Sequence, residues 1–164
     1  MAKGFIHGLK SVEFGDIATD GGVATVFAAQ GLTFKDTFEI IEADADVKEF
    51  FAEETDEAVL AVSTKGKMQM KFELMNYDNA SLAYLKGGSV VSDVYNADRF
   101  TVNIEKSVKV TPTTGMIFTF PRCLITTKWK GKLSKGELMT LEVTITVMTP
   151  TKAGVAPYTL TAQA

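Results

Sequence analysis

Met68, Met70, Phe72 and Leu74 are apolar, while Lys67, Gln69, Lys71 and Glu73 fill the positions beside them. An alternation of period two makes a strand with one oily and one wet face, because successive side chains leave a pleated backbone on opposite sides. Directly behind it, Asn76-Tyr-Asp-Asn79 offers acceptors to the orphan N–H groups of a helix start, and Leu82 and Leu85 recur at helical spacing. Gly87-Gly88 then accepts the left-handed closing conformation. A helix of so few turns does not persist in water unaided, so the chain must offer it a sheet to pack on. Val59 to Gly88 thus reads as hairpin arm, strand and short capped helix, and the remaining elements are arranged around it.

The same alternation marks Phe100 to Val110, bounded by Pro112 and Gly115, then Met116 to Phe120, then Cys123 to Trp129 after Pro121. It is cleanest at Met139 to Val147, where β-branched residues dominate. Leu32, Phe34, Phe38 and Ile40 alternate with Thr33, Lys35, Thr37 and Glu39, predicting a long strand to about Glu42, interrupted at Asp36 and partnered by Val59 to Val62. Asp20-Gly21-Gly22 marks a turn, Val23 to Ala29 a short strand, and Val90 to Ala97 carries no firm pattern. The segment up to Ile17 reads as an arm or an edge strand. Past Met148, Pro150, Gly154 and Pro157 break regular structure before a last strand at Tyr158 to Thr161, in a tail expected to reach outward. The expectation is a single mainly β domain over residues 1–164, with extended arms at 1–14 and 149–164.

Ala43 to Ala58 is the most acidic stretch, with Asp44, Asp46, Glu49, Glu53, Glu54, Asp56 and Glu57 around the adjacent Phe50 and Phe51. Asp46 followed by Glu49 resembles a capping box, and Val47, Phe50 and Phe51 would then share one face of a short helix. Connections of more than about 12–15 residues in compact domains are commonly functional. Two readings follow: the tip folds back with both rings in its own core, or Asp46, Glu49, Phe50, Phe51, Glu53, Glu54, Asp56 and Glu57 form a contact surface for another subunit.

The 164 residues carry a formal net charge of −3, which argues against general affinity for nucleic acid. The charge is uneven: up to Glu57 there are thirteen acids against four lysines, and the remainder has thirteen basic residues against seven acids. Cys123 and His7 are single copies, so no disulfide framework, zinc site or thiol–imidazole pair assembles from them. The carboxylates have no implied pocket that would separate their pKa values, the glycine pairs lack the lysine and third glycine of a phosphate loop, and Trp129 on a strand reads first as a packing residue. No catalytic residues, metal or cofactor are expected. The start lacks the apolar run and cleavage site of a secretory signal, and no stretch approaches the roughly 20 apolar residues of a membrane span, so no membrane association is expected.

The order of these elements resembles the major tail tube proteins of long-tailed bacteriophages and, more distantly, the inner tubes of contractile injection systems. The likeness lies in the hairpin with its acidic extended tip (Leu32 to Val62), the strand Met68 to Leu74, the helix Ser81 to Lys86 ending in Gly87-Gly88, and the strands closing on Thr140 to Met148. It implies an antiparallel β-sandwich or barrel with one short flanking α-helix and a long N-terminal hairpin. It further implies six copies in a ring and rings stacked into a hollow tube, with the hairpin tip reaching the adjacent ring. Other tail proteins would be partners, and double-stranded DNA would pass through the lumen without specific binding. An electronegative lumen would suit a sliding polyanion, and Glu73, Glu105 and Glu142, on polar strand faces, are the candidates to line it. The location implied is the bacterial cytoplasm during assembly and then the virion tail. The rival expectation is a monomeric β-sandwich that binds a sugar or apolar ligand through Trp129 and neighbouring aromatics.

Overall fold

A computed structural model describes residues 4–164, so the first three residues of the expected N-terminal arm lie outside the described residues. The fold is mainly β, with antiparallel sheets and one helix. The principal sheet orders its strands β1 (Ser11–Gly15), β8 (Ile104–Thr111), β9 (Met116–Lys130), β10 (Thr140–Val147), β5 (Met68–Leu74) and β2 (Glu39–Glu42). β11 (Thr159–Ala162) adds to the first part of β9, opposite Met116–Thr119. The sheet does not close into a barrel.

The alternating residues do what their period demands. Val12, Phe14, Met70, Phe72, Leu74, Val108 and Val110 point to one side and are buried, together with Leu141, Val143 and Ile145 of β10. Phe72 lies at the centre, with its ring 6.2 Å from that of Phe14 and 5.9 Å from that of Phe38. The helix α1 (Asn79–Lys86) sits where expected: the Asp78 carboxylate accepts from the Ser81 N–H at 2.7 Å, and Gly87 and Gly88 have φ of 86° and 93°. Leu82 and Leu85 are its buried apolar residues.

β9 is one strand of 15 residues that runs through Pro121, where the sequence suggested two. Pro121 has no N–H to give its neighbour, and the ladder absorbs this with a bulge in which Pro121 and Arg122 of β9 stand opposite Ser107 of β8. The buried Ser107 fills the gap: its hydroxyl donates to the Pro121 carbonyl at 2.6 Å and accepts from the Ala24 N–H at 3.0 Å. This pins the 23–29 segment, which joins β1 only through the Phe14–Ala28 bridge and is not a regular strand.

Other expectations are corrected. Of the arm and the edge strand expected at the N-terminus, residues 11–14 belong to the edge strand β1; the last strand forms as β11, but the tail expected to reach outward returns to pair with its own β9, where the ladder positions beside Met116–Thr119 are open. Val90–Ala97, patternless in sequence, contains the hairpin β6 (Ser89–Val91) and β7 (Val94–Asn96), with Ser92 and Asp93 at positive φ in its turn. Phe100 and Val102 are exposed and precede β8.

The acidic stretch is also corrected. Asp46 to Phe51 is not a helix but the strand β3 (Asp46–Phe51), paired with β4 (Ala58–Thr64). A lone capped turn would have nothing to lean on, whereas an antiparallel partner rich in Val and Leu satisfies its backbone. Nor is β4 the partner of Leu32–Glu42: β2 pairs with β5, Glu42 facing Met68, and four residues further along each arm Asp46 faces Thr64. The register is therefore unbroken across the bend at Ala43–Ala45 and Lys65–Lys67. The break expected at Asp36 is present, at φ 61°.

Candidate functional site

β2–β3 and β4–β5 form one ribbon whose outer part leaves the sheet as a finger. Every residue of β3 and β4 is exposed. At the bend, Gly66 lies so close to the Ala43 carbonyl oxygen that a Cβ there would meet it at 1.8 Å, so only glycine permits the two arms to cross into the finger at this spacing. Cross-strand pairing places Phe50, Leu60 and Val62 on one face, with Lys48, Asp46 and Thr64 completing it. Val47, Glu49 and Phe51 share the other face with Ala61 and Ser63, and Val59 is the extra residue at the bulge opposite Phe50–Phe51. The tip, Ala52 to Glu57, brings Glu53, Glu54, Asp56 and Glu57 to the end of the finger. All eight residues expected on a contact surface thus lie on one projecting element, and the phenylalanines, 54% and 61% exposed, are not folded into the core.

The three lumen candidates also share one surface. Glu142 faces Glu73 on β5 and Lys128 on β9, while Glu105 faces Leu124, which in turn faces Thr146. All three therefore lie on the side of the sheet away from Phe72 and Val143. Their charge is compensated within the chain. Arg122 holds Glu105 through two bonds of 2.8 and 2.9 Å. Lys130 bridges Glu73 at 2.5 Å and Glu142 at 3.5 Å, and Glu142 also meets Lys128 at 3.1 Å and Lys71 at 3.7 Å. Two carboxylates directly opposite on neighbouring strands would repel, and Lys130 between them removes that cost. Each of the three carboxylates is thus held by basic side chains of its own chain.

The environment sets the titration of this face. The Arg122 guanidinium lowers the Glu105 carboxyl below its ordinary range. Burial pushes Glu142 upward, but Lys128, Lys71 and Lys130 outweigh it and leave it lowered as well. A carboxyl lowered on folding contributes stability that is present above its unfolded pKa, near 4, and lost as pH falls through the folded value. Urea midpoints of the native chain should therefore drop between about pH 4.5 and 2, and Glu105→Gln with Glu142→Gln should flatten that limb. An unchanged slope would mean the pairs are not coupled to folding.

Cys123 is buried and its thiol is pushed up to about 12 by desolvation, which removes it as a nucleophile. No cluster of metal-ligating side chains is found among the described residues. His7 bridges Thr114 through its backbone. Trp129 is 43% exposed and packs on Tyr77, with ring centroids 5.5 Å apart. The chain matches no protein-family model and no curated protein. No helix among the described residues is long and apolar enough to cross a membrane.

Sequence reasoning did not find a further feature. A cleft of about 760 Å³ opens between the N-terminal segment and Leu32–Ile40. Its walls include Leu9, Val12, Phe34, Phe38, Val110 and Phe118, so its floor is the hydrophobic core itself. Three stretches remote in sequence build it, and no local pattern signals such a site.

Proposed function

We propose that the chain is a self-assembling structural subunit of the tail-tube type, forming six-membered rings that stack into a hollow tube through which DNA passes. The observation that carries this reading is the finger. A two-stranded hairpin with no third strand is marginal in water, yet this one displays Phe50, Phe51, Val59, Leu60 and Val62 to solvent. Exposed apolar patches on a projecting element mark a protein contact. A mainly β fold with antiparallel sheets, one short helix and a projecting hairpin supports this reading. The basic side chains Lys71, Lys128, Lys130 and Arg122 of the polar face are already engaged by its glutamates, which leaves them less able to hold phosphate and suits a passage wall.

The chain at rising concentration should form rings or rods visible by light scattering and negative-stain microscopy. Phe50→Ser with Phe51→Ser should suppress the rods while leaving circular dichroism and the melting transition of the subunit unchanged, since neither ring is in the core. Rods formed equally well by this variant would remove the finger from the contact. A strict monomer at every concentration would overturn the assembly reading and favour the rival, a monomeric binding module. For that rival, Trp129 is poorly placed, since it does not line the large cleft.

A further inference from the structure

We infer that the cleft between the N-terminal segment and Leu32–Ile40 is the seat for the finger of a second copy, an inference that rests on the assembly reading above. The cleft is the place where the sheet fails to close. Val12 and Val110 are buried at its floor, Phe38 and Phe118 are half-buried in its walls, and Leu32 stands at its mouth, 62% exposed. Beside it, the outer edge of β1 carries a single bridge, Phe14 to Ala28, so the strand edge there is open to further pairing. A core open on one side lacks contact partners for its lining, and an apolar insert supplies them.

The finger fits that description better than the other exposed apolar elements. Phe50 and Leu60 stand opposite each other at its outer end, and Val62 follows on the same face, opposite Lys48. Charge decides between candidates. The cleft lining carries Lys10 and Lys35 against Asp36 alone, and neither lysine, both exposed, is paired with a carboxylate among the described residues. The segment 43–58 carries seven acids against Lys48 alone. The β9–β10 loop also exposes apolar side chains, Leu133 at 90% and Leu138 at 53%, but Lys132 and Lys135 against Glu137 alone leave it net positive, the same sign as the cleft. Finger and cleft are different surfaces of the same molecule, so their contact is head-to-tail. Each copy that receives a finger still offers its own, and such contacts propagate.

The test uses the full chain with one added cysteine per protein, Cys123 being buried and unreactive. Leu60→Cys and Leu32→Cys proteins are mixed under assembling conditions and treated with a short bismaleimide. The expected result is a cross-linked heterodimer, with Leu60→Cys against Leu133→Cys giving about tenfold less. In parallel, Lys10→Glu with Lys35→Glu should raise the concentration for half-assembly by about tenfold, because like charges then face each other. A finger variant, Glu53→Lys with Glu54→Lys, should restore co-assembly with that cleft variant. If the native chain assembles but links through Leu133→Cys, or if the cleft variant assembles normally, the inference is overturned and the assembly reading stands. If the native chain never assembles, both are overturned. Native mass spectrometry that finds the cleft of a monomer filled by a small apolar ligand also overturns it.

Discussion

Phe72→Ala is expected to remove about 3–5 kcal/mol of folding stability, the usual cost of truncating a fully buried phenylalanine. Phe72 has no exposed surface, stands in the central part of β5 and touches both Phe14 of the edge strand and Phe38 of the segment that walls the cleft. Three parts of the chain remote in sequence meet at this one ring. The cavity left behind cannot be filled by collapse of a single neighbour, because those neighbours lie on separate parts of the chain, Phe14 within β1 and Phe38 just before β2. Against a total of about 5–15 kcal/mol for a domain, the loss brings the subunit close to unfolding at ambient temperature. Denaturant unfolding followed by tryptophan fluorescence measures it. A loss below about 1.5 kcal/mol, typical of a volume-conserving swap, would show that the site relaxes and that the core is not organised around this residue.

Ser107→Ala ranks second, with an expected loss of about 2–6 kcal/mol despite removing a single oxygen. That oxygen serves two buried backbone groups, the carbonyl of Pro121 and the N–H of Ala24. Each is left without a partner in the variant, at about 1–3 kcal/mol apiece. The effect should be local as well as global. Hydrogen exchange at the Ala24 amide should accelerate more than at Val143 in the sheet centre, because the hydroxyl is what holds the 23–29 segment to β8. Equal acceleration at both amides would instead mean that the variant only lowers global stability, and that Ser107 has no particular hold on this segment.

Much of this fold was legible because one-sided burial writes itself into the chain. Met68 to Leu74 and Thr140 to Val147 each have a core face and a wet face, and the alternation follows. Where both faces are exposed, the signal vanishes. Asp46 to Phe51 shows no clean alternation, so the spacing of Asp46 and Glu49 suggests a helix cap, and only pairing with Ala58–Thr64 makes it a strand. The β6–β7 hairpin is hidden for the same reason, with Ser92 and Asp93 in place of a glycine turn. Pro121 suggests the end of a strand because the residue that accommodates it, Ser107, comes fourteen positions earlier in the sequence. The acidic, aromatic finger was visible as a composition anomaly. The cleft was not, since its walls come from the N-terminal segment, Leu32–Ile40 and Val110–Phe118 and meet only in three dimensions.

The unbroken register through the Gly66 bend has a consequence for length. Because Glu42 faces Met68 and Asp46 faces Thr64 with no slip between them, two residues added to each arm would move the tip outward by about 7 Å at 3.4 Å per residue. Every side chain beyond the insertion would keep the side on which it now stands. One residue added to a single arm would instead turn that arm's outer half over. Reach can therefore drift in steps of two while the pattern of contacts is preserved, so the finger works as a gauge whose graduations are set by the pleat.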